Sequence, residues 1–183
     1  MASRRAGYDP LQKTLHWLVA ALVAAQFVVA WTMQPPPDGV APTGLVDAHL
    51  SIGVTILGLM VLRALRRVSR SVPPVPRDIP RWQRLAARGT HLGLYAALLA
   101  MPVAGWAWAS SQDWPVTLFG AVTLPALLAP GDPLGEVAAS AHEAIATALL
   151  ALVALHVLAA LRHALLLRDG VMTRMIPKAF GGR

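Results

Sequence analysis

Cysteine is absent from the chain. That excludes disulfides, thiolate zinc sites, iron–sulfur clusters, a Cys nucleophile and the C-x-x-C-H attachment of a c-type haem. Metal chemistry therefore falls to the six His and the carboxylates. Charge is scarce too: 14% of the 183 residues are charged against 56% hydrophobic. A water-soluble domain of this size seldom carries so much apolar surface. Aromatics make up only 6%, yet six Trp stand against two Tyr and three Phe, a bias that suits membrane interfaces. There is no Gly-rich phosphate loop, Rossmann fingerprint or G-x-S-x-G elbow. His142 and Glu143 open an H-E-x-x-H pattern, but position 146 is Ala, and the zinc-protease reading ends there.

What is present is a pattern of charge. Sixteen Lys+Arg against nine Asp+Glu give +7, and the pI of 11.3 taken alone suggests a nucleic-acid binder. The spacing argues otherwise. No basic residue stands between Lys13 and Arg63, or between Arg88 and Arg162, and each gap folds back at a Pro- and Gly-rich breaker. A hydrocarbon core of roughly 30 Å needs about 20 helical residues. The chain is therefore expected to form four spans, at 12–33, 46–65, 88–109 and 138–165. Four crossings put both ends on one side, and all 16 basic residues then fall on that side: three at or before the start of the first span, eight from the end of the second to the start of the third, and five at the end of the fourth or beyond. The other side carries Asp38, Asp47, Asp113, Asp132, Glu136 and Glu143. The positive-inside rule makes the basic side cytoplasmic. The sequence thus predicts an all-α integral membrane four-helix bundle, a single membrane domain over 1–183 with both termini cytoplasmic. The high pI then records topology, membrane lipid is the surrounding partner, and no nucleic acid is expected. The Pro-rich connector from Arg66 to Arg88 lies beside anionic headgroups. The broken apolar stretch 116–135 is expected along the outer interface, and Trp106 and Trp108 in an outer aromatic belt.

Five of the six His lie in these spans or at their edges: His16, His49, His91, His142 and His156. Polar side chains inside membranes are costly and mark function. Several His at matched depths, with no Cys, suit non-covalent haem, held by two neutral imidazoles from facing helices. His142 and His156 are 14 residues apart, about 40° short of four full turns and roughly 21 Å along the axis, so one helix presents two ligands on one face. His49, near the outer start of its span, is level with His142. At the inner level His156 has two candidate partners, because His16 sits three residues inside Lys13 and His91 three inside Arg88. His163 shares the face of His156 but lies beyond Arg162. Gly53, one turn after His49, offers either room for a porphyrin or close helix packing. Arg63 is 14 residues after His49, placed either to pair with a haem propionate or to snorkel as a membrane-edge anchor.

At this point the chain resembles the bacterial cytochrome b561 family. The motifs are K-T-L-H-W, D-A-H-L-S-I-G, T-H-L-G-L-Y-A-A-L with M-P-V-A-G-W, S-A-H-E followed 14 residues later by L-H-V-L-A-A-L-R-H, and the ending D-G-V-M-T-R-M-I-P. The resemblance implies two haem b groups, with His16, His49, His142 and His156 as the iron (metal) ligands. It favours His16 over His91, which is left a hydrogen-bonding role, near a quinone. It also implies a multi-pass protein of the bacterial inner (plasma) membrane that exchanges electrons between a quinone such as ubiquinone and a second partner, an electron donor the sequence does not identify. Two alternatives accompany this reading: a superoxide oxidase (superoxide:quinone oxidoreductase), and a haem-bearing anchor subunit of a larger dehydrogenase. The six outer carboxylates oppose the first, since their field repels an anion.

Overall fold

Asp9 starts the first helix. Its carboxylate accepts the Leu11 and Gln12 N–H groups at 2.8 and 3.2 Å, and Pro10 follows with a backbone angle already helical. From there α1 (Pro10–Thr32) runs through an almost unbroken apolar sequence. The computed structural model describes residues 8–37, 39–69 and 80–176; Asp38 and connector residues 70–79 lie outside them. Three more long helices follow: α2 (Leu45–Ser69), α3 (Arg81–Ser111) and α4 (Leu134–Leu161). All four are long and apolar enough to cross a membrane. α2 has Asp47 in its first turn and Arg66 and Arg67 in its last, each charge complementing the helix dipole. α3 carries Arg81, Arg84 and Arg88 before its apolar part, so the helix begins in the polar zone.

Each helix packs on the next in chain order, α3 on α4 most extensively, whereas the backbones of α1 and α4, and of α2 and α4, make little contact. The core lies at mid-height, where Val19, Val23, Ile56, Met60, Met101 and Leu149 meet. Leu149 is 0% exposed and stands seven residues from both His142 and His156. Its side chain therefore fills the level between them. Small residues let the backbones approach: a Cβ at Gly135 would strike the Ser111 side chain, and one at Gly93 would lie 3.1 Å from Leu152 Cδ1.

α3 ends in a Schellman turn. Asp113 takes a left-handed conformation (φ 58°), Trp114 N–H reaches the Ala109 carbonyl at 3.0 Å, and Asp113 N–H reaches that of Ser110 at 3.1 Å. The segment expected along the interface then forms a small antiparallel hairpin, β1 (Thr117–Leu118) and β2 (Val122–Thr123), turning at Phe119 and Gly120. The hairpin is tied to α2. Ser51, wholly buried, donates to the Thr117 carbonyl at 2.8 Å and accepts the Phe119 N–H at 3.0 Å, while Asp47 accepts from the Thr117 hydroxyl at 3.2 Å. Further along, Leu127 N–H donates to Ser110 Oγ and Gly131 N–H to the Ser111 carbonyl, securing the same connection to α3.

At the opposite end, which holds the termini, α4 loosens into π-helical winding over Arg162–Leu167. The tail then returns beneath α1. Lys13 Nζ and Trp17 Nε1 donate to the carbonyls of Ile176 and Met175, each at 2.9 Å. His163 bonds Asp169 at 2.6 Å within this fold-back.

Candidate functional site

Five of the six His fall into two clusters, one near each end of the bundle. Near the hairpin end, His49 on α2 faces His142 on α4, with ring centroids 6.1 Å apart and planes at 67°. Near the terminal end, His16 on α1 faces His156 on α4 at 6.2 Å and 78°. Metal–nitrogen bonds of roughly 2 Å on either side of one metal, plus the half-width of each ring, put two axial imidazole centroids about 6 Å apart. Both pairs have that separation. His91 also approaches His156, at 5.3 Å. Among the described residues no three His, Asp or Glu converge as ligands for a bare metal ion.

The hairpin-end pair is built from close approaches. His142 donates its Nδ1–H to the Met101 carbonyl at 2.9 Å, leaving Nε2 as the free lone pair. A Cβ on Gly105 would lie 2.8 Å from that Nδ1, so the imidazole occupies a notch made by the missing side chain. Pro102 stands inside α3 next to this carbonyl. On the facing side Gln26 of α1, only 6% exposed, donates from Nε2 to the His49 carbonyl at 2.9 Å. The Gln26 amide, both imidazoles and Met101 border a cavity of about 50 Å³. A Cβ on Gly53 would meet Gln26 Nε2 at an ordinary 3.6 Å.

The terminal-end cluster is more polar. Arg63 Nη2 lies 3.0 Å from His16 Nδ1; a guanidinium only donates, so Nδ1 accepts and the ring proton sits on Nε2. Arg63 and Arg67 each lie over the Tyr95 ring, 5.5 Å from its centre. His91 donates Nδ1–H to the Ala87 carbonyl at 2.6 Å. The expected site residues are thus grouped as His49 with His142, and as His16, Arg63 and His156 with His91 beside them. His163 is separate, engaged with Asp169. Trp108 packs against Trp114 at 5.7 Å, and Trp106 has a buried indole N–H with no partner in the structure.

Gly105, Gln26 and the Met101 carbonyl did not figure among the expected site residues. Gln26 carried a signal, being the one hydrogen-bonding side chain between Trp17 and Trp31. Gly105 and the carbonyl carried none, since their role appears only once α3 and α4 are side by side.

Comparison with known proteins identifies relatives along nearly the whole chain. The profile of the family described as prokaryotic cytochrome b561 matches residues 7–178. The chain is 31% identical to cytochrome b561 homolog 2 of Escherichia coli K12, over 94% of this chain and 92% of that protein. It is 33% identical to a Yersinia pestis protein named probable superoxide oxidase, over 95% and 98%. Identity with cytochrome b562 of Cereibacter sphaeroides is 29%, over 93% and 95%.

Proposed function

Because the chain belongs to the prokaryotic cytochrome b561 family, membrane electron-transfer cytochromes for which haem b is implied, we propose that it carries electrons across the bacterial inner membrane through two non-covalent haem b groups. His49 and His142 hold one, and His16 and His156 the other. The observation that carries this reading is the pair of imidazole separations, 6.1 and 6.2 Å, set at two levels along α4. Haem b, when bound between two imidazoles, supplies a one-electron iron couple with no open coordination position.

The protein's own residues do the rest. Met101 fixes the His142 tautomer, and Gly105 gives its ring room. Leu149, Ile56 and Met60 keep water from the level between the two pairs. Arg63, whose Nη2 lies 3.0 Å from His16 Nδ1, is the cation that would hold a haem carboxylate; with that donor turned away, His16 Nδ1 would carry the ring proton and leave Nε2 as the lone pair. The spans 12–33, 46–65, 88–109 and 138–165 set the bundle in the bilayer as one membrane domain, with the basic end cytoplasmic. A quinone of the membrane pool is the lipid-side electron partner.

Purified protein should contain two haems per chain by pyridine haemochrome, and reduced-minus-oxidised spectra should lose one haem in His49→Ala and the other in His16→Ala. Protein purified from haem-supplied cells and holding none, or either variant keeping both, overturns the assignment. His91→Leu should retain two.

A second reading rests on the Yersinia pestis relative and its name: oxidation of superoxide at the hairpin end, with quinone as acceptor. The carboxylates Asp47, Asp113, Asp132, Glu136 and Glu143 at that end oppose long-range attraction of an anion. A superoxide pulse tests it, since the haems must be reduced faster than spontaneous dismutation removes the anion.

A further inference from the structure

We propose that Gln26 is a positioning residue for His49: its Oε1 accepts the His49 Nδ1–H, orienting that imidazole and setting its strength as a metal donor. The inference rests on the reading of His49 and His142 as a haem-binding pair. It begins from an asymmetry within that pair. His142 has its Nδ1 satisfied by the Met101 carbonyl, whereas His49 Nδ1 is buried and has no partner among the described residues. A metal-binding His almost always donates its second ring N–H to an oxygen, which fixes the tautomer and raises ligand basicity.

A complementary group belongs to a residue that borders the same cavity. Gln26 Oε1 is likewise buried without a partner, on a side chain 6% exposed. The Gln26 amide is already tethered to the same residue, since Nε2 donates to the His49 carbonyl at 2.9 Å. That bond settles which way the amide faces. Turning it over would set Oε1 against a carbonyl oxygen, two acceptors in contact, so Oε1 points away from the His49 backbone. A buried donor and a buried acceptor, on two residues already joined and lining one cavity of about 50 Å³, each supply what the other lacks. In the interior of a membrane bundle no bulk water competes for either. The cavity gives the ring and the amide room to meet directly or through one bridging water.

The consequence is a sign. An accepted Nδ1–H makes His49 the stronger donor and favours oxidised iron, so removing the acceptor should raise that haem's potential. The test is a redox titration of purified, haem-loaded protein carrying Gln26→Leu, Gln26→Met or Gln26→Glu, with ferric EPR on the same samples. The haem of the His49–His142 pair is identified as the one missing from His142→Ala. Leu and Met should shift its potential upward and change its EPR signal. Glu, which keeps an acceptor oxygen, should hold the potential at or below the wild-type value. The haem of His16 and His156 should not move in any of them. If Leu costs haem retention, Met and Glu still give the comparison. The proposal is overturned if the apolar variants keep both haems with the first potential unchanged or lowered, or if both haems shift together. Wild-type protein without haem, or His142→Ala with both haems intact, would instead overturn the parent reading and the inference with it.

Discussion

His142 reaches the Met101 carbonyl at 2.9 Å because residue 105, one turn further along α3, has no side chain. An added Cβ would lie 2.8 Å from the ring nitrogen and 2.9 Å from Cε1, inside the distance any real Cβ keeps. Glycine here is a matter of space between two helices.

Gly105→Ala should therefore push the His142 ring out of its notch. Overpacking of this kind costs on the order of 1–3 kcal/mol. The expected result is loss or weakening of the haem held by His49 and His142, with that of His16 and His156 retained, so pyridine haemochrome should fall from two haems per chain towards one. Full retention of both with unchanged spectra would show that the notch is not needed.

Arg63 is the cation in contact with His16, and it also lies over Tyr95. Arg63→Gln removes a positive charge that favours the reduced, less positive haem. At such close range a unit charge is worth on the order of 1–3 kcal/mol. A lower potential is expected for the haem of His16 and His156, with little change in the other. An unchanged pair of potentials in a redox titration would assign Arg63 to membrane anchoring alone.

The fold-back after α4 should respond to acid. Burial pushes the Asp169 carboxyl up, but the Val171 N–H and the His163 imidazole outweigh it and hold the group below its ordinary range. A depressed value in the folded state contributes stability above the unfolded value of about 4, lost as pH falls through the folded value. Hydrogen exchange over 168–176, taken relative to the intrinsic amide rate at each pH, should thus be flat from neutral pH to about 4 on this account and rise below it. Asp169→Asn should abolish that acid-dependent rise. A variant profile identical to wild type would assign the dependence to another group.

Ser51 both donates to and accepts from the hairpin. Ser51→Ala leaves the Thr117 carbonyl and the Phe119 N–H without their partner, at a cost of about 1–3 kcal/mol. Faster exchange across 117–123 is the expected reading, with the helix centres unaffected. Exchange no faster than wild type would mean that the Asp47 contact and the β pairing suffice.

Much of this architecture is legible in the sequence because the bilayer imposes coarse rules. Lys13, Arg63, Arg88 and Arg162 bracket two long apolar stretches, and the breakers within them leave room for four helices. The proximity of His49 and His142 follows from chain direction and depth alone. Depth fails at the other end, where His16 and His91 are equally far inside a basic residue and only the order of helices around the bundle tells them apart. In the structure both reach His156, at 6.2 and 5.3 Å, so nearness does not choose between them. The hairpin at 117–123 was hidden because its stability comes from Ser51 and Asp47, far away in sequence. The same holds for the tail, whose carbonyls at Met175 and Ile176 meet Trp17 and Lys13 across almost the full chain.

The hairpin has a further consequence for the pair beneath it. His49 and His142 belong to α2 and α4, two helices whose backbones scarcely touch. The connection that leads into α4 is fastened to α2 by Ser51 and Asp47 and to α3 by Ser110 and Ser111. The loop is therefore a gauge block: a polar clasp at the edge of the membrane sets the gap between two imidazoles deeper in. Changing its length would retune that gap before any helix came undone.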